Sequence, residues 1–338
     1  MRAQRLAMLP AVLAVLVLPA ALVEARAADF YSGKTLTMIV GFAPGGGVDT
    51  TARVVARHLV RFIPGEPGLI VQNMEGAAGL VAMNYVDKRV AADGLTVAMP
   101  GRSWYVEGAL KGPGVAFDVD KLTYVGSPGG VNSALYVRTA TGIENLAALK
   151  SSPKALTFGT LGATTPTAMV PALLAADGYP VKLISGYVST ARVLLALEQG
   201  ELDGFWTAED SFARRHDLLD KNLVTPILQA RPHLPGVPLL SDVAPPNRRP
   251  LLMLLEAPEN FGLPLVGPAD IPAERASILR QAFLAMAADP DYQAEATQAG
   301  EPVGSPIDGA QLQVMIGELA KAATPDIGAA YRRLGSAK

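Results

Sequence analysis

Cysteine is absent from the 338 residues, which excludes disulfides, a thiolate nucleophile and any cysteine-ligated metal. Histidine is scarce too: His58, His216 and His233 stand far apart, with no metal-ligand spacing between them. Neither sign of charge dominates. Twenty-nine Lys and Arg face 31 Asp and Glu, for a formal net charge of −2, and such a balance leaves no electrostatic footprint for nucleic acid. The sequence has no Gly-x-Ser-x-Gly elbow, no Walker loop and no Gly-x-Gly-x-x-Gly dinucleotide turn. Ser151-x-x-Lys154 has a nucleophile spacing, but it encloses a proline in a loop. No cofactor and no metal are therefore expected. Beyond residue 22 no apolar run is long enough to span a bilayer.

What is present begins at the N-terminus. Arg2 and Arg5 precede an apolar run, Leu6 to Leu22, interrupted by Pro10 and Pro19, and Ala25-Arg26-Ala27 fits a small-x-small cleavage site. Residues 1–27 read as a cleavable signal peptide; a membrane anchor is the competing reading, disfavoured by the two prolines. Export without disulfides suggests a Gram-negative periplasm. Half of the residues are apolar, ample for two cores in domains of ~150 residues each.

Strands and helices alternate along the chain, which predicts mainly parallel sheets with ligands at the strand carboxyl ends. Thr35–Val40, Leu69–Gln72 and Leu95–Met99 are expected strands, separated by helices over Thr50–Phe62 and Leu80–Arg89. The middle repeats the plan. Strands are expected at Ala134–Arg138, Ala155–Phe158, Val181–Ile184, Leu202–Trp206 and Val224–Leu228. Helices are expected at Ile143–Leu149, Ala168–Ala176 and Ala191–Gln199, the last stopped by Gly200. About forty proline-rich, irregular residues follow, then helices at Ala273–Ala288 and Gly309–Ala322. Two crossings, near Gly126–Gly130 and Ala230–Pro238, predict a discontinuous first domain (28–126 with 229–338) into which a second (127–228) is inserted.

The most informative segment is Leu36 to Thr51. An apolar run meets Phe42-Ala43-Pro44 and three glycines, Gly45, Gly46 and Gly47, before a helical pattern opens behind Asp49. Glycines let a backbone approach a ligand closely, and the free N–H groups and dipole of a helix N-terminus favour negative charge. A strand–glycine–helix unit is thus an anion cradle, or else a tight turn that binds nothing.

These residues resemble the substrate-binding proteins of tripartite tricarboxylate transporters, the Bug receptors. The resemblance rests on Tyr31-x-Gly-Lys followed by Val40-Gly-Phe-Ala-Pro-Gly-Gly-Gly-x-Asp49. It continues through Ile70-Val-Gln-Asn-Met-Glu-Gly-Ala-Ala-Gly79, Ala92-Asp-Gly94, Gly159-Thr160, Tyr187, Leu197-Glu-Gln-Gly-Glu-Leu-Asp203 and the Pro272-Ala-Glu-Arg helix. It implies an α/β, two-lobed fold of the type II periplasmic-binding-protein kind, each lobe a mostly parallel sheet flanked by helices. It also implies a periplasmic, monomeric receptor that closes on a small organic carboxylate and delivers it to large and small integral-membrane permease subunits, or reports it to a sensor. Two loops depart from the family pattern. Val188-Ser189-Thr190 stands where many members have Gly-Gly, and Gly162-Ala163-Thr164-Thr165-Pro166 lacks the commoner glycine and serine spacing.

The candidate ligand-binding residues follow. Phe42, Pro44, Gly45, Gly46 and Gly47 form the cradle. Asp49 either caps the helix or accepts a bond from a ligand. Ala77, Ala78 and Gly79 offer a second helix N-terminus. Arg102, after the third strand, either pairs with a carboxylate or is solvated. Thr160, Gly162, Thr164 and Thr165 supply hydroxyl and backbone donors, or ordinary ST-turn bonds. Tyr187 donates a phenol or packs. Asp203 lies near the cleft, or ends a strand. Trp104 and Trp206 wall the cleft or join the core. The rival from another class is a secreted enzyme that uses the same cradle for phosphate, with Asp49 and Asp203 as its acids.

Overall fold

The computed structural model describes residues 30–212, 215–300 and 305–336; the expected signal peptide at 1–27 lies outside them. Among the described residues no helix is long and apolar enough to cross a membrane.

Among the described residues, eleven strands form two sheets. The first comprises β1 (Thr35–Val40), β2 (Gly68–Asn73), β3 (Thr96–Met99), β4 (Thr123–Ser127), β10 (Leu265–Gly267) and β11 (Ile307–Asp308), in the order β11-β4-β10-β3-β1-β2. The second comprises β5 (Ser133–Arg138), β6 (Leu156–Gly159), β7 (Val181–Ile184), β8 (Gly204–Ala208) and β9 (Val224–Gln229), in the order β7-β6-β8-β5-β9. β1 reads as a nearly unbroken apolar run because helices cover both faces of its sheet: Leu36, Met38, Ile39 and Val40 are all buried.

Pairing in both sheets is mixed. β1 pairs in parallel with β2 and β3, and β6 with β7 and β8. The returning chain inserts β10 antiparallel between β3 and β4, and β5 runs antiparallel to β8 and β9. The β2-β1-β3 and β7-β6-β8 orders are the same topology twice. In each, successive connections leave the central strand in opposite directions, which opens a crevice at the strand carboxyl ends.

The registers fix how the two crevices relate. Gly126 of β4 pairs with Leu265, and Tyr124 with Val266, which also pairs with Ala98 of β3. β4 therefore ends at the carboxyl edge of β3. β5 begins at Ser133, opposite Ala208 at the carboxyl end of β8, and Gln229, the end of β9, pairs with Ala134. The short crossing 128–132 thus joins the carboxyl edge of one sheet to that of the other, and the return crossing leaves from the same edge.

Several elements differ from expectation. The proline-rich stretch after β9 contains a helix, Arg249–Phe261. Pro250 occupies its first turn, where a missing N–H costs nothing, and Leu251, Leu252, Leu254 and Leu255 bury a face that outweighs the disruption from Pro258. The helix expected from Ile143 is Leu146–Lys150, because Asn145 caps it and accepts from the Ala148 N–H at 2.9 Å. Trp104 and Trp206 are fully buried, so the core claims both rather than a cleft wall. Trp104 packs with Tyr105, Phe117 and Tyr124.

Helix Arg249–Phe261 ties the crossings together. The Glu259 carboxylate accepts from Ser133 Oγ and from Trp206 Nε1, and its carbonyl accepts from the Val131 N–H at 2.8 Å. A Cβ on Gly130 would collide with the Arg231 guanidinium, so the two crossings touch there. One turn earlier, Glu256 borders a cavity of about 470 Å³ with Arg231 and Glu318. Its Oε1 is buried and takes no hydrogen bond from a described residue. Burial, and secondarily the charge of Glu259, push the Glu256 carboxyl from 4.5 up to about 7. Between those values the native state keeps a proton that the unfolded chain has lost, so stability falls as pH rises through this window. Glu256→Gln should be more stable than the parent by ~2 kcal/mol at pH 8, allowing for solvent screening, and equal to it near pH 4.5. Urea unfolding at the two pH values checks this.

Candidate functional site

The carboxyl ends of β2, β1 and β3 lie side by side, so the loops that follow them, 41–46, 74–79 and 100–103, converge. Pro100 is the point of contact: a Cβ on Gly41 or on Gly79 would collide with its carbonyl. On Gly101 a Cβ would meet the Phe42 ring, which rests there 36% exposed.

In the first loop the helix begins at Gly47, earlier than the sequence pattern indicates, and Gly46 is its N-cap. Asp49 is therefore not the N-cap. It sits in the third helical position, buried, and its Oδ2 accepts from the Gly45 N–H at 2.8 Å and from Arg53 Nε at 2.9 Å. Oδ1 accepts from Asn73 Nδ2 at 2.8 Å, the same amide nitrogen donates to the Phe42 carbonyl, and Asn73 Oδ1 accepts from Arg53. This is like the reciprocal half of a capping box, but reaches one residue further back, to the N–H before the N-cap, and extends onto the neighbouring strand. Burial pushes the Asp49 carboxyl up, but the bonds from Arg53, Gly45 and Asn73 outweigh it and hold the group below the usual carboxylate range. Asp49 and the Gly45 N–H are thus engaged with one another. Asn73, at the end of β2, was not singled out by the sequence reading. The signal available was its place at the carboxyl end of a strand next to the glycine loop.

Only Gly45 of the three glycines has a positive φ, +80°. Gly46 is extended and Gly47 helical, conformations open to any residue, and a Cβ on Gly47 would meet no atom within 4 Å. The fold does not need glycine at either place. What the missing side chains provide is an uncovered helix N-terminus, whose first N–H groups have no partner within the helix. Pro44 and the glycines are exposed around it.

The second loop is strained. Ala77 and Ala78 adopt φ of 46° and 54°, between Gly76 at 138° and Gly79 at 95°. Left-handed backbone at alanine costs ~1–2 kcal/mol per residue, and such conformations persist where the surroundings hold them. Here the close approach of Gly79 to Pro100 does so. In the third loop Arg102 is half-buried. Burial holds the Tyr105 hydroxyl neutral against the opposing charge of Arg102, and the hydroxyl donates to the carbonyls of Ala257 and Gly262.

The loops of the second sheet are quieter. Thr160 is buried, with Oγ1 3.2 Å from Ser185 Oγ. Thr165 is the N-cap of helix Pro166–Ala176, yet its hydroxyl is turned onto the Gly162 carbonyl and Thr167 Oγ1, both at 2.7 Å. Thr167 in turn accepts from the Leu161 N–H. The ST-turn account thus describes Thr165. Thr164 is half-buried beside Gly335 of the C-terminal helix. Tyr187 is half-buried against the core, while Val188 next to it is 89% exposed. Asp203 precedes β8, at the edge away from these loops, where its Oδ2 accepts from Thr157 N–H and Oγ1. The structure thus brings together Phe42, Pro44, Gly45 to Gly47, Asp49, Ala77 to Gly79 and Arg102 at one edge. Thr160, Gly162, Thr164, Thr165 and Tyr187 lie at the corresponding edge of the second sheet, and Asp203 is apart from both groups. Among the described residues no cluster of three or more His, Asp or Glu could hold a metal ion.

Known proteins share this fold. The chain is 26% identical over 229 residues to a UPF0065 protein from the tcbD-tcbE intergenic region of Pseudomonas sp. strain P51, covering 65% of this chain and 66% of that one. It is 33% identical over 147 residues to protein BugT of Bordetella pertussis, covering 43% and 44%. The matches therefore span less than two thirds of either relative. Among solved structures, MatC from Rhodopseudomonas palustris with bound malate superposes with a TM-score of 0.62 at 20% identity, over 87% of this chain and 99% of that one. It shares the two-sheet architecture of periplasmic binding proteins. The family model described as the tripartite tricarboxylate transporter family receptor, TctC, matches residues 51–243, more than half of the chain, and to that family this protein belongs.

Proposed function

We propose that this protein is a periplasmic solute receptor that captures a small carboxylate between two lobes and delivers it to the membrane subunits of a tripartite tricarboxylate-type permease. In this reading residues 28–126 and 229–338 form the first lobe and 127–228 the second, and residues 1–27 direct export. The observation that carries it is the glycine loop. A helix N-terminus is left uncovered by glycines that the fold does not require, beside Arg102 and a strained second loop. Oriented N–H groups and the dipole stabilise a carboxylate there without net positive charge. The facing carboxyl edges of the two sheets make the cleft, and the short crossings act as its hinge. In this reading Asp49 is engaged by its own hydrogen bonds and the protein binds its ligand without turnover.

The test is thermal unfolding of residues 28–338 with a panel of small carboxylates and with inorganic phosphate. A ligand in ~100-fold excess over its Kd adds ~2.7 kcal/mol, which raises the Tm by about 5 °C or more in a protein of this size. A carboxylate-selective rise, with the compound recovered unchanged, is the expected result. A rise with phosphate alone, or conversion of the bound compound, would overturn the receptor reading.

A further inference from the structure

The C-terminal helix, Pro325–Gly335, bears on one loop of the proposed cleft. It packs against elements of both sheets. A Cβ on Gly328 would lie 3.1 Å from Leu110 Cδ2. Tyr331 and Leu334 share one apolar cluster with Trp104, which follows β3, and with Met169 and Leu173 of helix Pro166–Ala176. The last residue of the helix reaches the second-sheet loop: a Cβ on Gly335 would lie 3.3 Å from the Ala163 carbonyl oxygen, and 3.7 Å from both Thr164 Cγ2 and Met169 Sδ. Gly335 is helical, a conformation open to any residue, so its backbone does not require glycine. What the missing side chain provides is room for the loop.

That loop is a closed turn. The Thr165 N–H and Oγ1 both donate to the Gly162 carbonyl, at 3.2 and 2.7 Å. Ala163 and Thr164 are the two central residues of the turn, and the helix end braces both. The neighbouring hydroxyls are engaged: Thr160 bonds Ser185, and Thr165 bonds Gly162 and Thr167. Thr164, half-buried, is the one threonine of 160–167 whose hydroxyl bonds no described residue. Its methyl is the group beside Gly335. Methyl and hydroxyl share one Cβ, and a β-branched side chain is stiff about χ1, so holding the methyl against the helix fixes the hydroxyl as well. We propose that Thr164 donates its hydroxyl to the bound ligand, and that Gly335 is a positioning residue through which the C-terminal helix holds that hydroxyl in place. This rests on the carboxylate-receptor reading above and adds a named donor on the second-sheet side.

Isothermal titration of residues 28–338 with malate, adipate, hexanoate and benzoate finds a carboxylate that binds the parent. If none binds, the receptor reading fails and this inference fails with it. With the binder in hand, Thr164→Val keeps the shape of the side chain and removes the hydroxyl. Its Kd should rise about tenfold, the scale of one hydrogen bond to a charged group. An unchanged Kd would remove Thr164 from the site and leave the receptor reading standing. Gly335→Ala presses a methyl on the turn and should raise Kd about fivefold, the scale of a side chain pushed off its rotamer. Added to Thr164→Val it should raise Kd no further, because the group it positions is already gone. Equal losses in the two backgrounds, or no loss in either, would make Gly335 a packing residue and overturn its assignment. Thr164→Ser keeps the hydroxyl and drops the methyl beside Gly335, so it tests the same point without touching the helix. It should lose part of the affinity, and a parental Kd would overturn the positioning role.

Discussion

Alanine at Gly46 and Gly47 together should leave the protein about as stable as the parent and weaken carboxylate binding by 10- to 100-fold. The two halves of this expectation have different origins. Gly46 is extended and Gly47 helical, so neither needs a glycine backbone. A Cβ on Gly47 meets nothing, and one on Gly46 makes only an ordinary contact with the Ala43 carbonyl. Alanine is favoured over glycine by up to ~1 kcal/mol at the helical Gly47, which offsets its poorer fit at the N-cap Gly46. The same methyl groups cover the N–H groups that a carboxylate would use. Loss of one or two charge-assisted bonds costs ~1.5–3 kcal/mol, which gives the stated range. Urea unfolding and titration calorimetry on the double variant separate the effects. Lower stability with unchanged binding would make the glycines ordinary turn residues.

The second large effect is expected at Asp49. Asp49→Ala removes the acceptor shared by the Gly45 N–H, Arg53 and Asn73. Arg53 is 41% exposed on its side chain and returns to water, but the Asn73 amide and the loop N–H are left without their acceptor. A loss of ~2–3 kcal/mol in stability at pH 7 follows. The carboxyl is held below its ordinary range, so it adds stability above the unfolded-state pKa and loses it as pH falls through the folded one. The difference between parent and Asp49→Ala should therefore shrink toward pH 3. Ligand affinity should drop as well, because Gly45 is no longer fixed. Equal stability of variant and parent at pH 7 would mean that the network contributes nothing.

Much of this was legible in the sequence because the signals are local. The β1 run, the glycine loop and the helix stop at Gly200, whose φ is +80°, each depend on a few adjacent residues. The misplaced features depended on partners distant in the chain. Asp49 is a good N-cap residue, but its carboxylate was claimed by Asn73, twenty-four positions on, and capping passed to Gly46. The helix Arg249–Phe261 has two prolines, and no local rule favours it over a loop. It forms because its leucines close the core between the sheets and Glu259 pins both β5 and β8. Thr165 looked available as a donor, yet its hydroxyl satisfies the turn that presents it.

By itself the sequence determined the alternation of strands and helices, the absence of thiol chemistry, and a glycine loop between a buried strand and a helix, since composition and short-range periodicity are sufficient for these. Only the tertiary structure decided which glycines the fold can do without and which acids are already engaged. Those are questions of which polar groups have found partners, and partners are brought together by sheet order and packing.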